Sequence, residues 1–505
     1  FEVRRGSIPG SPCVHLGHNR QIAWGVTAAL CDDADLYQEK RHPDDPDLYL
    51  AGDRWLKMDR IEEIIRIRGG RELKRFVRFT RHGPVISDFL PANPKSEVLA
   101  LKWSAHEPSQ EFRVVYGVNR ATNWEEFLDG LSFQVAPTLN YVYADIRGNI
   151  GYALAGRIPK RSHTNSFFPL PGWSSDHDWK GYLPFSELPR LFNPAEGLIA
   201  TANNRIADST YPHYLSDLFE PPYRIRRIAT LVQQNPRLSA ADMARIQRDV
   251  ISNHANEVLA HLRDDLLAIS RDEPALLPVI EILLAWNGSC SEDSVAAAIY
   301  HVLHRCLILN LLAPDLGEKL ASAYLEIMNQ PLQPLARILG DPQSPWFAAL
   351  GRRALLEKSL RAACAELDQK FGADIQRWRW GKLHTLTLSH PFGRNKLLRP
   401  IFSIGPFPAA GDGVTINMGF YRYSDPYAHV VGPSLRMIIP LGEWKNARFV
   451  LPGGQSGHFF SSHYSDQTEL WRQGAYLQLY YDEQSMNDWP YLTLIPAPRE
   501  TQKNS

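Results

Sequence analysis

The sequence has no excess of either charge and few cysteines. Its 505 residues include 55 Lys and Arg against 55 Asp and Glu. Proteins that bind nucleic acid through bulk charge have an excess of basic residues, so this balance argues against a nucleic-acid partner. The five cysteines are odd in number and show no CxxC spacing, which argues against a zinc knuckle and a disulfide framework. We expect mostly buried apolar thiols.

The sequence also lacks a long apolar run and an N-terminal start signal. No stretch approaches the ~20 apolar residues that cross a bilayer, so we expect no membrane span. The sequence starts at Phe1, without an initiator methionine and without the charged-then-apolar pattern of a signal peptide. We therefore expect it to be a piece of a longer chain.

Short runs of β-branched and aromatic residues, cut by turn residues, are present in both the first and the last part of the chain. The clearest hairpin is NYVYADIRGNIGYALAG, residues 140–156, with its turn at Asp145 to Asn149. Further strands are predicted in the stretches EEIIRIR (62–68), RFVRFTRHGPVIS (75–87), GLIA (197–200) and GDGVTIN (411–417).

The middle of the chain has helical periodicity instead. A capping-box pattern, Ser-x-x-Asp, begins at Ser239, and apolar residues at helical spacing continue to about Phe371. This β, α, β order predicts an α+β fold in which a sheet-based core is interrupted by a helical insertion. We place the core in residues 1–235 and 376–505 and the insertion in residues 236–375.

The acidic cluster DDAD, residues 32–35, is the first stretch that could hold a ligand. Carboxylates this close repel one another, which raises their pKa values unless a cation or several N–H groups keep them ionised. Calcium takes six to eight oxygen ligands, backbone carbonyls included, so an Asp-x-x-Asp stretch can serve one ion. The spacing is not that of an EF-hand. A solvated acidic loop is the alternative.

The stretch TANNR, residues 201–205, is the second. It follows the strand-like GLIA, where a sheet would end and present side chains to a cleft. An Asn amide there can donate to a developing oxyanion, a contribution worth about 3 kcal/mol in hydrolases. The alternative is a turn, because Asn side chains favour turns.

The spacing of the histidines does not predict a metal site. His301 and His304 share one helix face, as do His254 and His261, but no nearby acid or cysteine in the sequence completes a ligand set. We expect structural or surface histidines.

A glycosidase is a further alternative. Thirteen Trp and twenty Tyr residues would suit a sugar-binding cleft, with Asp412 and Glu443 as candidate catalytic acids. Aromatic residues belong more often to a core.

The motifs in their order resemble the large β-chain of the penicillin acylase family. Members of that family are amidohydrolases of the N-terminal-nucleophile class. The resemblance covers nearly the whole chain, and the joint order and spacing of the motifs are specific. The matching stretches include GHNRQIAWGVT, DDADLY, TRHGPV, NWEEF, YADIRGNIGY, DWKGYLPF, TANNR, SDLF, PPYRIRRI, GDGVTIN, GPSLRM and LPGGQSGHFFSSHYSDQ.

This resemblance implies an αββα sandwich and a zymogen that cleaves itself to give an α-chain and a β-chain, which form an αβ heterodimer. An N-terminal Ser would attack an amide carbonyl, with its own α-amine as the base, and give an acyl-enzyme. Substrates would be small N-acyl compounds, such as penicillin or cephalosporin side-chain amides or acyl-homoserine lactones. The family also implies a periplasmic or secreted protein.

The resemblance also implies roles for individual residues. The oxyanion donors would be the side chain of Asn203 and the backbone N–H of Ala28. Arg224 would border the site and orient Asn203 or engage an acidic part of the substrate.

The acidic cluster matches the calcium site of the family. Asp32 and Asp35 would bind Ca²⁺ through carboxylates, Ala34 through its carbonyl, and Asp217 from a distant loop. A further carbonyl ligand falls near Ser166, and a carboxylate of the α-chain would complete the set.

The nucleophile is expected to be absent from this sequence. In the family it lies several dozen residues before the GHN motif, whereas only sixteen residues precede Gly17 here. Phe1 cannot perform the chemistry, and Ser7 and Ser11 do not carry a free α-amine. A non-catalytic paralogue or binding module that keeps the calcium-bound sandwich is the alternative to an enzyme.

Overall fold

The computed structural model of the chain describes residues 3–11, 13–90, 97–162, 167–235, 237–326 and 331–479. The strands are β1 (Val3–Gly6), β2 (Leu16–Asn19), β3 (Ile22–Ala28), β4 (Ala34–Glu39), β5 (Leu48–Ala51), β6 (Arg54–Lys57), β7 (Asp59–Ile65), β8 (Leu73–Thr80), β9 (Gly83–Pro84), β10 (Val98–Trp103), β11 (Leu139–Asp145), β12 (Ile150–Ala155), β13 (Leu170–Pro171), β14 (Arg190–Phe192), β15 (Thr385–Leu388), β16 (Ile404–Pro408), β17 (Phe420–Tyr421), β18 (His429–Val431), β19 (Arg436–Ile438), β20 (Arg448–Val450) and β21 (Leu477–Gln478). The α-helices are α1 (Glu111–Arg120), α2 (Trp124–Leu131), α3 (Tyr223–Gln233), α4 (Ala240–Ile246), α5 (Asn253–Asp272), α6 (Leu277–Leu284), α7 (Val295–Tyr324), α8 (Leu332–Gly340), α9 (Arg352–Phe371), α10 (Trp380–Leu383), α11 (Arg399–Phe402) and α12 (Thr468–Gln473).

The largest sheet has the strand order β1-β2-β3-β11-β12-β14, and its neighbouring strands are antiparallel. The hairpin predicted in residues 140–156 is confirmed, since β11 and β12 pair with Ala144 opposite Ile150. On the other side of β11, β3 pairs with Ala28 opposite Leu139. The sheet therefore presents the end of β3 beside the start of its central hairpin.

Helices α1 and α2 pack against this sheet. α2 buries Trp124 and Phe127, which lie one helical turn apart and so share a face. Both rings contact Tyr143 of β11. The helix begins after Asn123, whose side chain accepts the N–H of Glu126 at 2.9 Å, as an N-cap residue does. The motif NWEEF thus builds the layer of helices that covers the sheet.

Helices dominate from α3 to α9. α4 begins with the predicted capping box, in which Ser239 and Asp242 exchange side-chain and backbone hydrogen bonds. The largest cluster of buried apolar residues lies among α5, α6, α7 and α9. Helices α4 to α9 fall within the predicted insertion, residues 236–375, and the domain boundaries themselves stay predictions.

Helix α7 is the one helix in the described part of the chain with the length and composition of a membrane span. Its most apolar window is 78% buried inside the protein, as in the core helix of a globular fold. The helix bends at Gly317, whose φ of 71° lies outside the helical region.

The chain returns to β structure after α9, as predicted. Strands β16-β15-β18-β17 form one sheet and β19-β20-β21 another. The loop between β16 and β17 is fastened to α10, because the indole N–H of Trp380 donates to the Gly411 carbonyl at 2.9 Å. This loop carries Asp412, which is buried.

Two predicted strands are wrong. Residues 197–200 and 411–417 have strand-like composition, yet neither stretch forms a strand. The first begins at Gly197 in the left-handed region, with φ of 63°. In the second, Asp412 Oδ1 accepts the N–H of Val414 at 2.8 Å. Such a bond from a side chain to a nearby backbone group replaces a strand ladder by a turn.

Candidate active site and acidic cluster

The end of β3 presents backbone groups at an open edge. Ala29 N–H donates to the Thr138 carbonyl at 3.1 Å, across to the chain that leads into β11. Because backbone groups alternate between the two edges of an antiparallel strand, the N–H and C=O of Ala28 point to the opposite edge. On that edge β2 pairs with β3 only at Ala23 and Trp24. Ala28 is exposed.

Asn203 lies at this edge. Its Nδ2 donates to the Ala28 carbonyl at 2.8 Å. The loop is fixed by two further bonds, from Glu220 N–H to the Asn203 carbonyl at 2.9 Å and between the Thr27 and Thr201 hydroxyls at 2.9 Å. Asn203 has φ of 60°, a left-handed conformation that Asn tolerates better than most residues. Strained backbone of this kind concentrates at functional sites.

Arg224, in the first turn of α3, decides which way the Asn203 amide faces. Its Nη2 donates to Asn203 Oδ1 at 2.9 Å. A guanidinium has only donors, so the amide oxygen must face Arg224 and the NH₂ group must face Ala28. Burial lowers the pKa of Arg224 below its ordinary value, and Glu220, with its carboxylate 3.7 Å from Nη2, opposes that shift. Arg224 therefore keeps its charge in a half-buried position.

The structure thus brings together Asn203, Ala28 and Arg224. An Asn NH₂ group has two donors, of which one goes to the Ala28 carbonyl. The second N–H and the N–H of Ala28 belong to neighbouring groups on the same sheet edge. Two such fixed donors are what a tetrahedral oxyanion requires. The catalytic roles of the three residues stay predictions.

A second buried arrangement surrounds the acidic cluster at the start of β4. The Asp35 carboxylate is only 2% exposed and pairs with the buried guanidinium of Arg161, with 2.8 Å between Oδ2 and Nε. The indole N–H of Trp179 donates to the same oxygen at 2.5 Å. Arg161 Nη1 also donates to the Asp32 carbonyl at 2.8 Å.

Three of the predicted calcium ligands therefore share one cationic neighbour. Besides Asp35 and the Asp32 carbonyl, the Ala34 carbonyl lies 3.4 Å from Arg161 Nη2 and Asp32 Oδ1 lies 3.5 Å from it. All these donors are carboxylate or carbonyl oxygens, the type that calcium takes. The chemistry of the set fits calcium, and a guanidinium already supplies positive charge to it.

The other two predicted ligands are placed differently. The segment of Asp217 lies against the cluster, since Asp32 N–H donates to the Leu215 carbonyl at 2.7 Å. The Asp217 carboxylate itself lies 3.8 Å from Arg205 Nη2. Ser166 lies outside the described residues. Asp33, the remaining acid of the stretch, is half-buried, and burial raises the pKa of its carboxyl.

Sequence reasoning missed Arg161 and Trp179 as partners of the acidic cluster. Trp179 belongs to the motif DWKGYLPF, so its position in the family pattern was a usable signal. Arg161 gave none, because it is 126 positions from Asp35 along the chain.

The fold is that of an N-terminal-nucleophile hydrolase. The structure matches a thermostable penicillin G acylase from Alcaligenes faecalis with a TM-score of 0.74 at 22% identity, over 99% of this chain and 93% of that one. The predicted α+β class with an αββα sandwich is thereby confirmed. At this level of identity the likeness concerns the fold alone.

The chain belongs to the penicillin amidase family, because the sequence profile of that family, described as Penicillin amidase, matches residues 1–488. The resemblance found in the sequence is thus confirmed. An acyl-homoserine lactone acylase QuiP from Pseudomonas aeruginosa is 29% identical over 98% of this chain and 64% of its own length. The penicillin acylase 2 proenzyme of a Pseudomonas strain is 28% identical over 94% and 60%. The chain spans about three fifths of the length of these curated relatives.

Proposed function

We propose that the protein containing this chain hydrolyses the amide bond of N-acyl compounds through an acyl-enzyme. The observation that carries the proposal is the Asn203 amide, turned by Arg224 toward Ala28 at the open edge of β3. Attack on an amide carbonyl places negative charge on its oxygen, and these two donors would stabilise that charge. The nucleophile would be an N-terminal Ser outside the residues of this chain, with its α-amine as general base.

The relatives support two substrate classes for the same reaction. One is named for acyl-homoserine lactones and another for penicillin. In both classes an acyl group is joined to an amine through an amide, so one oxyanion site serves either. Arg224, a cation beside Asn203, would suit a substrate with an acidic part.

A substrate panel on the purified full-length protein tests the proposal. We expect release of a free amine and a carboxylic acid from at least one acyl-homoserine lactone or penicillin. We also expect a mass increase equal to the acyl group on the chain that bears the nucleophile, trapped by rapid acid quench. The absence of amine release from every substrate, together with no Ser, Cys or Thr at a processed N-terminus, would favour the non-catalytic alternative.

We further propose that the protein is a zymogen that becomes an αβ heterodimer, exported to the periplasm or secreted. The support is the family membership and the partial coverage of the relatives, one of which is named a proenzyme. N-terminal sequencing of the purified protein should give two chains. A single unprocessed chain with full activity would contradict this.

Calcium is proposed at the acidic cluster, with Asp32, Asp35 and Asp217 as carboxylate ligands and Ala34 through its carbonyl. The ion would add positive charge to that of Arg161 and join the start of β4 to the loop of Asp217. The support is the convergence of three of these groups on one cation.

The variant Asp35→Ala should lose bound calcium and fold or mature poorly, because it removes a buried carboxylate and leaves a buried guanidinium without its nearest carboxylate partner. Metal analysis and yield of mature protein measure both effects. Asp53→Ala, an exposed acid in the turn between β5 and β6, is the control and should change neither. A folded wild-type protein without calcium would remove the metal assignment.

A further inference from the structure

Three side chains of metal-binding type meet in the interior, on elements that the proposed hydrolase site does not use. They are Cys290 in the connection between α6 and α7, His301 on α7, and Asp412 in the loop between β16 and β17. The thiol is fully buried, and the other two residues are 4% and 2% exposed. The fold therefore collects a thiol, an imidazole and a carboxylate from three separate segments.

The three ligand atoms lie close to the separations that a shared ion would give them, and the thiol is also within hydrogen-bond reach of both neighbours. Cys290 Sγ lies 3.6 Å from His301 Nε2 and 3.8 Å from Asp412 Oδ2, and the latter two atoms are 3.8 Å apart. A hydrogen bond between nitrogen and oxygen spans about 2.7 to 3.2 Å, so the His301–Asp412 pair does not form one. Ligand atoms around a tetrahedral zinc are roughly 3.3 to 3.6 Å apart, from the usual zinc–ligand bond lengths. A contraction of a few tenths of an ångström would bring all three onto one ion.

The backbone around the cluster holds two of the groups in place. Gly411 N–H donates to the Cys290 carbonyl at 2.8 Å, and Cys290 N–H donates to the Val250 carbonyl at 2.9 Å. Asp412 Oδ1 accepts the N–H of Val414 at 2.8 Å, while Oδ2 faces the cysteine and the histidine. A metal-binding carboxylate is held in this way by a hydrogen bond to its other oxygen.

The histidine is oriented in the same manner. His301 stacks on Trp380 with the ring centroids 4.2 Å apart, and its Nδ1 lies 3.1 Å from the Tyr421 hydroxyl. If Nδ1–H donates to that oxygen, the lone pair of Nε2 faces Cys290 and Asp412, which is the tautomer a metal requires. A cavity of about 20 Å³ adjoins His301, Asp412 and Tyr421. It has room for one water, which could serve as a fourth ligand.

We propose that Cys290 Sγ, His301 Nε2 and Asp412 Oδ2 bind a zinc ion, with one water as the fourth ligand. A thiolate with an imidazole suits zinc, whereas calcium and magnesium prefer oxygen ligands alone. On binding, the thiol loses its proton to solvent and a zinc–sulfur bond forms, with no change of oxidation state. Because Cys290 is fully buried, the ion would lie in the interior and join α7 of the helical region to the loop after β16.

Zinc content of the full-length protein tests this proposal. The protein is purified without chelators, incubated with zinc and a reductant, and dialysed before mass-spectrometric metal analysis. We expect about one zinc per chain in the wild type. Cys290→Ser should retain less than about a tenth of that amount, since a hydroxyl is a poor zinc ligand. Cys306→Ser is the matched control: Cys306 is also a buried thiol, lies on α7 outside the cluster, and should leave zinc binding unchanged.

X-ray absorption on the wild type decides the question if Cys290→Ser does not fold. The spectrum should show one sulfur at about 2.3 Å with nitrogen or oxygen ligands at about 2.0 to 2.2 Å. Absence of zinc from the wild type, a shell without sulfur, or full zinc content in folded Cys290→Ser would each overturn the proposal. These readouts are independent of amide hydrolysis and of calcium.

Discussion

Asn203→Ala in the processed, full-length enzyme is expected to lower kcat on the order of a hundredfold or more, with a much smaller change in KM. The Asn203 amide donates on the same edge as the Ala28 N–H, and its NH₂ is turned there by Arg224. The charge that these donors meet exists in the transition state and not in the bound substrate. Losing one donor therefore raises the barrier more than it weakens binding.

Two further variants separate donation from packing. Asn203→Asp keeps the shape of the side chain but replaces the NH₂ by an acceptor, so it should be as impaired as Asn203→Ala. Asn204→Ala is the control, because the Asn204 amide bonds within its own loop, to the Arg205 carbonyl at 2.8 Å and from Ala202 N–H at 3.1 Å. Steady-state kinetics on the best substrate measure all three. Near-normal turnover in Asn203→Ala would remove Asn203 from the oxyanion site.

The sequence predicted those parts of the fold whose signals are local. The hairpin of β11 and β12 has its strands and its turn within residues 140–156, and the capping box joins residues three positions apart at Ser239. Helical and strand periodicities are likewise set by near neighbours. The order of β, α and β segments, and with it the α+β class, followed from these signals, whereas the αββα sandwich followed from the family motifs.

Local composition failed where a side chain competes with the backbone. Residues 411–417 have the β-branched composition of a strand, but Asp412 binds the N–H of Val414 and forms a turn. The cluster of Asp412 with Cys290 and His301 was not predictable for a different reason, which is distance along the chain. Asp412 is 122 positions from Cys290 in the sequence, and no spacing rule covers such a separation. Only the tertiary fold shows that His301 has neighbours of metal-binding type.

The motif TRHGPV shows that a family motif can be structural. His82 is buried, with Nδ1 2.8 Å from a Glu39 oxygen and Nε2 3.0 Å from an Asp178 oxygen. The next residue, Gly83, has φ of 133°, and a Cβ there would lie 2.2 Å from the Leu101 carbonyl oxygen. Only glycine fits at that position. Resemblance located the motif, and the contacts show that it joins the turn between β8 and β9 to β4 and β10.

Arg161→Met is expected to lower the free energy of unfolding by about 3 to 5 kcal/mol, because it leaves a buried carboxylate without its cation. The Asp35 side chain is 2% exposed and Arg161 is 1% exposed, so water replaces little of the lost interaction. Chemical denaturation of the full-length protein, with the same buffer and chelator for every variant, measures the loss. Arg157→Met is the matched control on the same segment. Its ion pair with Glu107 is exposed, so it should cost less than about 1 kcal/mol.

The double variant Arg161→Met with Asp35→Asn identifies the cause of that loss. It removes both charges, so most of the stability should return if an uncompensated carboxylate is what destabilises the single variant. Added calcium separates the contribution of the proposed ion from that of the Arg161 guanidinium.

Because the ion would bind only the folded state, saturating calcium should stabilise Arg161→Met by mass action. If Arg161→Met costs no more than Arg157→Met in chelator, the guanidinium does not neutralise Asp35. If Arg161→Met does lose stability and saturating calcium restores none of it, the calcium assignment fails.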